Sequence, residues 1–213
     1  MNRRSFPTGK RGFSLTEILV VLAIMSVLSA LMATSFSSLR FSSLSLAGNN
    51  MVDVCAMARQ NSIAKNDFTA VLIMTQGANA CSAYSLWEMP RQADGSFGAW
   101  TQLSPWRLLP NGVVFENTSS DTFMQTTSSL PTPLPSTVPY KGTQVSTTSG
   151  MVTQCFQSDG TLAGGQLSNG AALRLRLIGG VADGNGNTTS RNAADYYDLY
   201  FVANTGMTKI GRP

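Results

Sequence analysis

From Phe13 to Ala33 nearly every position is apolar: F-S-L-T-E-I-L-V-V-L-A-I-M-S-V-L-S-A-L-M-A. The run lacks lysine and arginine and breaks its character once, at Glu17. As a helix it is about 31 Å long, enough for a hydrocarbon core of about 30 Å. A carboxylate inside such a segment costs about 2.5–3.5 kcal/mol on insertion scales, so Glu17 needs a partner.

Helical spacing continues beyond the run. Phe36, Leu39, Leu44, Ala47, Met51, Cys55, Ala58 and Ser62 fall near one face. Gly48-Asn49-Asn50 is a weak point in that stretch, and Asn66 suits a left-handed cap. The pattern predicts one long helix over 13–66, its first part (13–33) membrane-spanning. A β-rich head over 67–213 comes next. Period-two stretches place strands at 68–74, 84–89, 106–109, 113–115, 152–157 and 171–178. A terminal hairpin joins 196–203 to 207–210 across Asn204-Thr205-Gly206. The Ser/Thr/Pro-rich stretch 118–150 reads as an insertion without a central strand, because proline removes ladder donors. Helix followed by strands is an α+β order with an antiparallel sheet.

Charge sharpens this picture. The chain has 213 residues, 15 basic and 11 acidic. Arg3, Arg4, Lys10 and Arg11 precede the apolar run, and without them the balance is eleven against eleven. The excess marks a cytoplasmic flank rather than a general field for nucleic acid. Histidine is absent, which removes Ser-His-Asp and Cys-His catalysis. No paired carboxylates or phosphate loop stand out, so the chain reads as a non-enzyme with no cofactor and no metal. Asp183-Gly184-Asn185-Gly186-Asn187 starts like a calcium loop, but Thr188 stands where that loop needs glycine and Ala194 where it needs glutamate. Cysteines 55, 81 and 155 are an odd set. An exported domain could hold one disulfide and one thiol. Cys55 lies on the helical stripe, so Cys81 and Cys155 are the candidate pair, with separate thiols as the alternative.

A cleaved secretory signal fits the basic flank and apolar run, but no A-x-A site comes after them. A plain anchor leaves Glu17 unexplained. Lys10-Arg11-Gly12-Phe13-Ser14-Leu15-Thr16-Glu17 resembles the prepilin signature of type IV pilins and type II secretion pseudopilins. The resemblance implies a basic leader, residues 1–12, removed by prepilin peptidase between Gly12 and Phe13. It also implies N-methylation of Phe13 and a glutamate at the fifth mature position, Glu17. Glu17 would then meet a neighbour's Phe13 amine and set subunit register. The family often carries proline near Thr34, and this chain does not.

The helix ending Arg59 to Asn66, with Leu109-Pro110-Asn111-Gly112 and the Asn204-Thr205-Gly206 turn, resembles the GspH/FimT branch of minor pilins. This second resemblance implies a minor pilin or pseudopilin, a structural subunit in the inner membrane with its head in the periplasm. Its partners would be the peptidase and other pilin subunits in a pilus or pseudopilus. Some members of the branch take up DNA, which makes Arg174, Arg176, Lys209 and Arg212 candidate contacts. A DNA-binding minor pilin and a static membrane-anchored binding domain are the alternative readings.

Overall fold

The computed structural model describes residues 14–118, 122–126, 130–163, 172–202 and 204–212, with the side chains of 32–41 outside that set. The elements in chain order are α1 (Leu15–Lys65), β1 (Phe68–Met74), β2 (Ala83–Met89), β3 (Thr101–Gln102), β4 (Arg107–Leu108), β5 (Val113–Phe115), α2 (Thr122–Gln125), β6 (Thr137–Tyr140), β7 (Thr143–Ser146), α3 (Thr147–Gly150), β8 (Met151–Phe156), β9 (Leu173–Ala182), β10 (Thr188–Ser190), β11 (Tyr196–Val202) and β12 (Met207–Gly211). Two units separate by their internal contacts, Met1–Leu39 and Arg40–Pro213. The second half of α1 therefore belongs to the same compact unit as the strands.

From Ile18 to Leu31 α1 exposes apolar side chains around its circumference. Leu15, Ile18, Leu19, Val20, Val21 and Leu22 are all more than half exposed. Ser26 and Ser29 donate their hydroxyls to the carbonyls of Ala23 and Met25 at 2.8 Å, which spares the apolar surface two unpaired polar groups. Helical backbone continues through Thr34, and the helix ends at Lys65. There Asn66 takes φ 58, the left-handed step that closes a helix.

In the second unit two antiparallel sheets share a core with α1. One runs β3-β2-β1-β8 with β4 also on β2; the other runs β10-β9-β11-β12 with β5 on β9. Leu44, Ala47, Met51, Val54, Cys55 and Ala58 of α1 meet Val71, Ile73 and Leu86 of the first sheet and Leu173, Leu175, Leu177, Leu199 and Phe201 of the second. Strand alternation puts Arg174 and Arg176 on the opposite face of β9. Gly48 and Asn49, poor helix formers, have a tertiary purpose. A Cβ on Gly48 would lie 2.5 Å from the Tyr197 ring, and the Tyr197 hydroxyl donates to Asn49 Oδ1 at 2.8 Å.

The first sheet is buried on its other face too. Ala70, Leu72, Met74, Ala83, Trp87 and Met89 form a second core with Trp100, Val138 and Tyr140. The proline-rich stretch, expected as an insertion without a central strand, supplies that cover. It folds a two-stranded sheet of its own, β6 with β7, turned by Lys141 (φ 46) and Gly142 (φ 82). Such paired positive φ values define the tight hairpin turn. Trp100 Nε1 donates to Thr132 O at 2.9 Å and Trp106 Nε1 to Pro139 O at 2.8 Å, tying the segment down.

Candidate functional site

The N-terminal part of α1 is the first candidate. Ser14 precedes the helix and its backbone N–H donates to Glu17 Oε2 at 3.0 Å. In return the Glu17 N–H donates to Ser14 Oγ at 3.4 Å, and the hydroxyls of Ser14 and Thr16 are hydrogen-bonded. This is a reciprocal capping box. Glu17 thus has an intrachain partner that the sequence reading missed, although the Ser-x-x-Glu spacing announces it. One carboxylate oxygen is engaged by the cap, and the acid also favours the positive end of the helix dipole. Gly12 and Phe13, the cleavage and methylation positions, lie outside the described residues. Among the described residues no helix is long and apolar enough to cross a membrane. The apolar side chains described there run from Leu15 to Leu31, about 26 Å of helix.

The four basic candidates of the head separate into two pairs. Arg176 lies on the outer face of β9, opposite Asp198 of β11. Its guanidinium donates through Nε to Oδ1 at 2.7 Å and through Nη2 to Oδ2 at 2.8 Å, a bidentate pair. It also lies 3.9 Å from the centroid of the Tyr196 ring. The hydrogen bonds to Asp198 hold the arginine above its usual pKa against the opposing effect of burial. Arg174 stands 3.7 Å from Glu116, which also lies 3.9 Å from Arg176. Burial and the hydrogen bond to Asp198 raise the Tyr200 phenol. Asp198 thus holds Arg176 by hydrogen bonds, while Glu116 lies within ion-pair distance of both arginines without a hydrogen bond to Arg174. Lys209 and Arg212 are exposed. Arg212 lies 4.8 Å from the Tyr197 ring centroid and donates to Asn49 Oδ1 at 3.5 Å.

The cysteines bear on the open choice between a Cys81–Cys155 pair and separate thiols. Cys55, Cys81 and Cys155 are all buried thiols, and no Cys81–Cys155 disulfide is formed. The reason is their placement. Cys81 packs in the core beneath α1, whereas Cys155 points into the second core on the other face of the sheet. Burial pushes Cys55 and Cys155 up to about 12, so neither is a reactive thiolate at neutral pH.

The loop between β9 and β10 uses its own acid. Asp183 Oδ1 accepts from the Asn185 and Asn187 backbone at 2.9 and 2.8 Å, and Oδ2 accepts from Asn187 Nδ2 at 2.7 Å. These bonds, the Asn187 side chain first, lower the Asp183 pKa. Gly186 (φ +84) approaches so closely that a Cβ would lie 2.2 Å from Thr75 O. The carboxylate is committed to the turn. Among the described residues no cluster of three potential metal ligands occurs.

Comparison with known proteins bears mainly on the N-terminus. Residues 8–33 match the model of the prokaryotic N-terminal methylation motif. No curated protein matches the chain. Among solved structures, the minor pseudopilin EpsH from the Type 2 Secretion System of Vibrio cholerae is similar at 10% identity and a TM-score of 0.40. The match covers 80% of this chain and 97% of that one. The chain carries the N-terminal methylation motif of prepilin-type proteins at the head of a long helix, with antiparallel sheets after it.

Proposed function

We propose that this chain is a minor pilin or pseudopilin, a structural subunit stored in the inner membrane and then assembled into a pilus or pseudopilus through α1. Prepilin peptidase cuts between Gly12 and Phe13 and methylates Phe13, and the head stands in the periplasm. The observation that carries the reading is the joint one at the N-terminus. A methylation motif leads into a helix whose exposed side chains, Leu15 to Leu31, are apolar on all sides. Such a surface is stable in lipid or among like helices and unstable in water. The sequence extends the apolar run from Phe13 to Ala33, which supports a single span before assembly.

The capping box adds a mechanism. Before assembly Glu17 is satisfied by its own chain, which lowers the penalty of keeping a carboxylate near the membrane surface. After the cut, the new Phe13 amine of a neighbour offers a charged partner. Apolar helices slide freely along one another, so one buried polar pair contributes register more than net stability. The test compares wild type and Glu17→Ala in cells. Both should be cut and held in the membrane, but the variant should fall at least about tenfold in the sheared filament fraction. Equal incorporation would remove Glu17 from the account.

A further inference from the structure

The second half of α1 and strand β12 lie side by side with a groove between them. Arg59 Nε donates to Thr205 O at 2.7 Å, and farther along the strand Arg212 reaches Asn49. The groove, about 450 Å³, lies around the Arg59 tie, with Val52, Ala56 and Ile63 on the helix side and Met207 and Thr208 on the strand side. Ile63 and Met207 are exposed apolar side chains along it.

Among the described residues β12 is the terminal strand of its sheet and pairs only with β11. No strand among them pairs with its outer edge, so alternate peptide groups there are open to a further strand. Register sorts its side chains. Thr208 and Ile210 stand opposite Phe201 and Leu199, which are core residues on the α1 side. Lys209 stands opposite Tyr200 and so belongs to the outer face, turned away from α1. Arg59, Lys209 and Arg212 have no carboxylate partner among the described residues. The ion pairs found there involve Lys65, Arg174 and Arg176 instead. No acid lines the groove.

We propose that this groove receives an extended acidic segment of a partner protein, added as a further strand beside β12. Three features fit that occupant. The open edge supplies main-chain hydrogen bonds, as in strand addition. The alternation requires apolar side chains toward α1 and acids toward Lys209. The length also agrees: β12 spans about 17 Å, and α1 along the groove, Val52 to Ala64, rises about 18 Å, room for about five extended residues. A second copy of β12 is disfavoured, because antiparallel pairing about its centre sets Lys209 against Lys209. Lysine on an edge strand guards against self-pairing and leaves the site to an acidic partner. The proposal stands independently of processing or filament assembly.

The test titrates the full chain in detergent against a fluorescent peptide of about seven residues that alternates valine and glutamate. Controls are the valine–lysine peptide, the glutamate peptide N-methylated on the amides that would face β12, and an oligothymidine. The glutamate peptide should bind at least about tenfold more tightly than the lysine peptide. N-methylation should weaken it by a similar factor. Lys209→Glu should reverse the charge preference while leaving the melting temperature in place. Absence of binding, indifference to N-methylation, equal affinity for both peptides, or tighter Lys209-dependent binding of the oligothymidine would each overturn the proposal.

Discussion

Glu17 shows how one residue can hold two kinds of information. Its spacing from Gly12 and Phe13 points to the methylation motif, and its spacing from Ser14 builds a capping box. The second meaning is legible in the Ser-x-x-Glu spacing alone, although the apolar surroundings point first to an intermolecular partner. The cysteines make the opposite case. Their count and spacing do not tell which face of a sheet each occupies, and only the strand register places Cys155 opposite Ala70, away from Cys81. Their burial has a measurable consequence. At about pH 8 a thiol pushed up to about 12 is ionised on the order of one part in ten thousand. A thiol reagent should therefore leave Cys55 and Cys155 unlabelled in the native chain for as long as it stays folded. In denaturant, without reductant, three thiols per chain should react. A single reactive thiol after unfolding would show that a disulfide had been present.

Among the elements, those with a clean period are legible in the sequence. Of the helical stripe, Leu44, Ala47, Met51, Cys55, Ala58 and Ser62 are buried, while the side chains of Phe36 and Leu39 lie outside the described residues; Asn66 caps α1 with a positive φ. Leu173, Leu175 and Leu177 face the core as their alternation requires. Elements defined by their partners are not legible. Strands β3 and β10 are short and polar, and they form because β2 and β9 offer an edge. The hairpin β6–β7 lies in a proline-rich stretch whose hydrophobic positions are too sparse to signal a strand. Its Lys141-Gly142 turn is a weaker signal than Asn-Gly. The composition of the stretch suggests a dispensable insertion, yet it roofs a core. Its removal should therefore not be neutral. A chain lacking 118–150 should expose the Leu72 and Met74 face and aggregate, as light scattering would show, whereas an unchanged monomer would contradict the roofing role.

Gly48 belongs to the same scale. Glycine in a helix is unfavourable by about 1 kcal/mol against alanine, so an ordinary exposed site would gain from Gly48→Ala. Here the added methyl meets the Tyr197 ring, and overpacking costs about 1–3 kcal/mol. Denaturant titration should find the variant less stable than the parent. A gain in stability would show that Tyr197 moves aside without penalty.

At the level of the whole molecule, the two units answer different solvents. Residues from Arg40 onward bury their apolar side chains in two cores against strands and an inserted cover. Leu15 to Leu31 leave theirs exposed on every side. In the proposed reading that segment lies in lipid or among like helices, and the match to the N-terminal methylation motif supports this. The basic excess lies in the first twelve residues, so the proposed cut removes both the leader and its charge. Asp198 is hydrogen-bonded to Arg176 and Glu116 lies within ion-pair distance of Arg174, while Lys209 and Arg212 are the exposed pair among the four basic candidates. The central claim concerns the N-terminus, and mass spectrometry of the protein isolated from cells that contain a prepilin peptidase tests it most directly. The expected mature chain begins with N-methylated Phe13. A chain that retains residues 1–12, or one cut beyond Ala33, would contradict it.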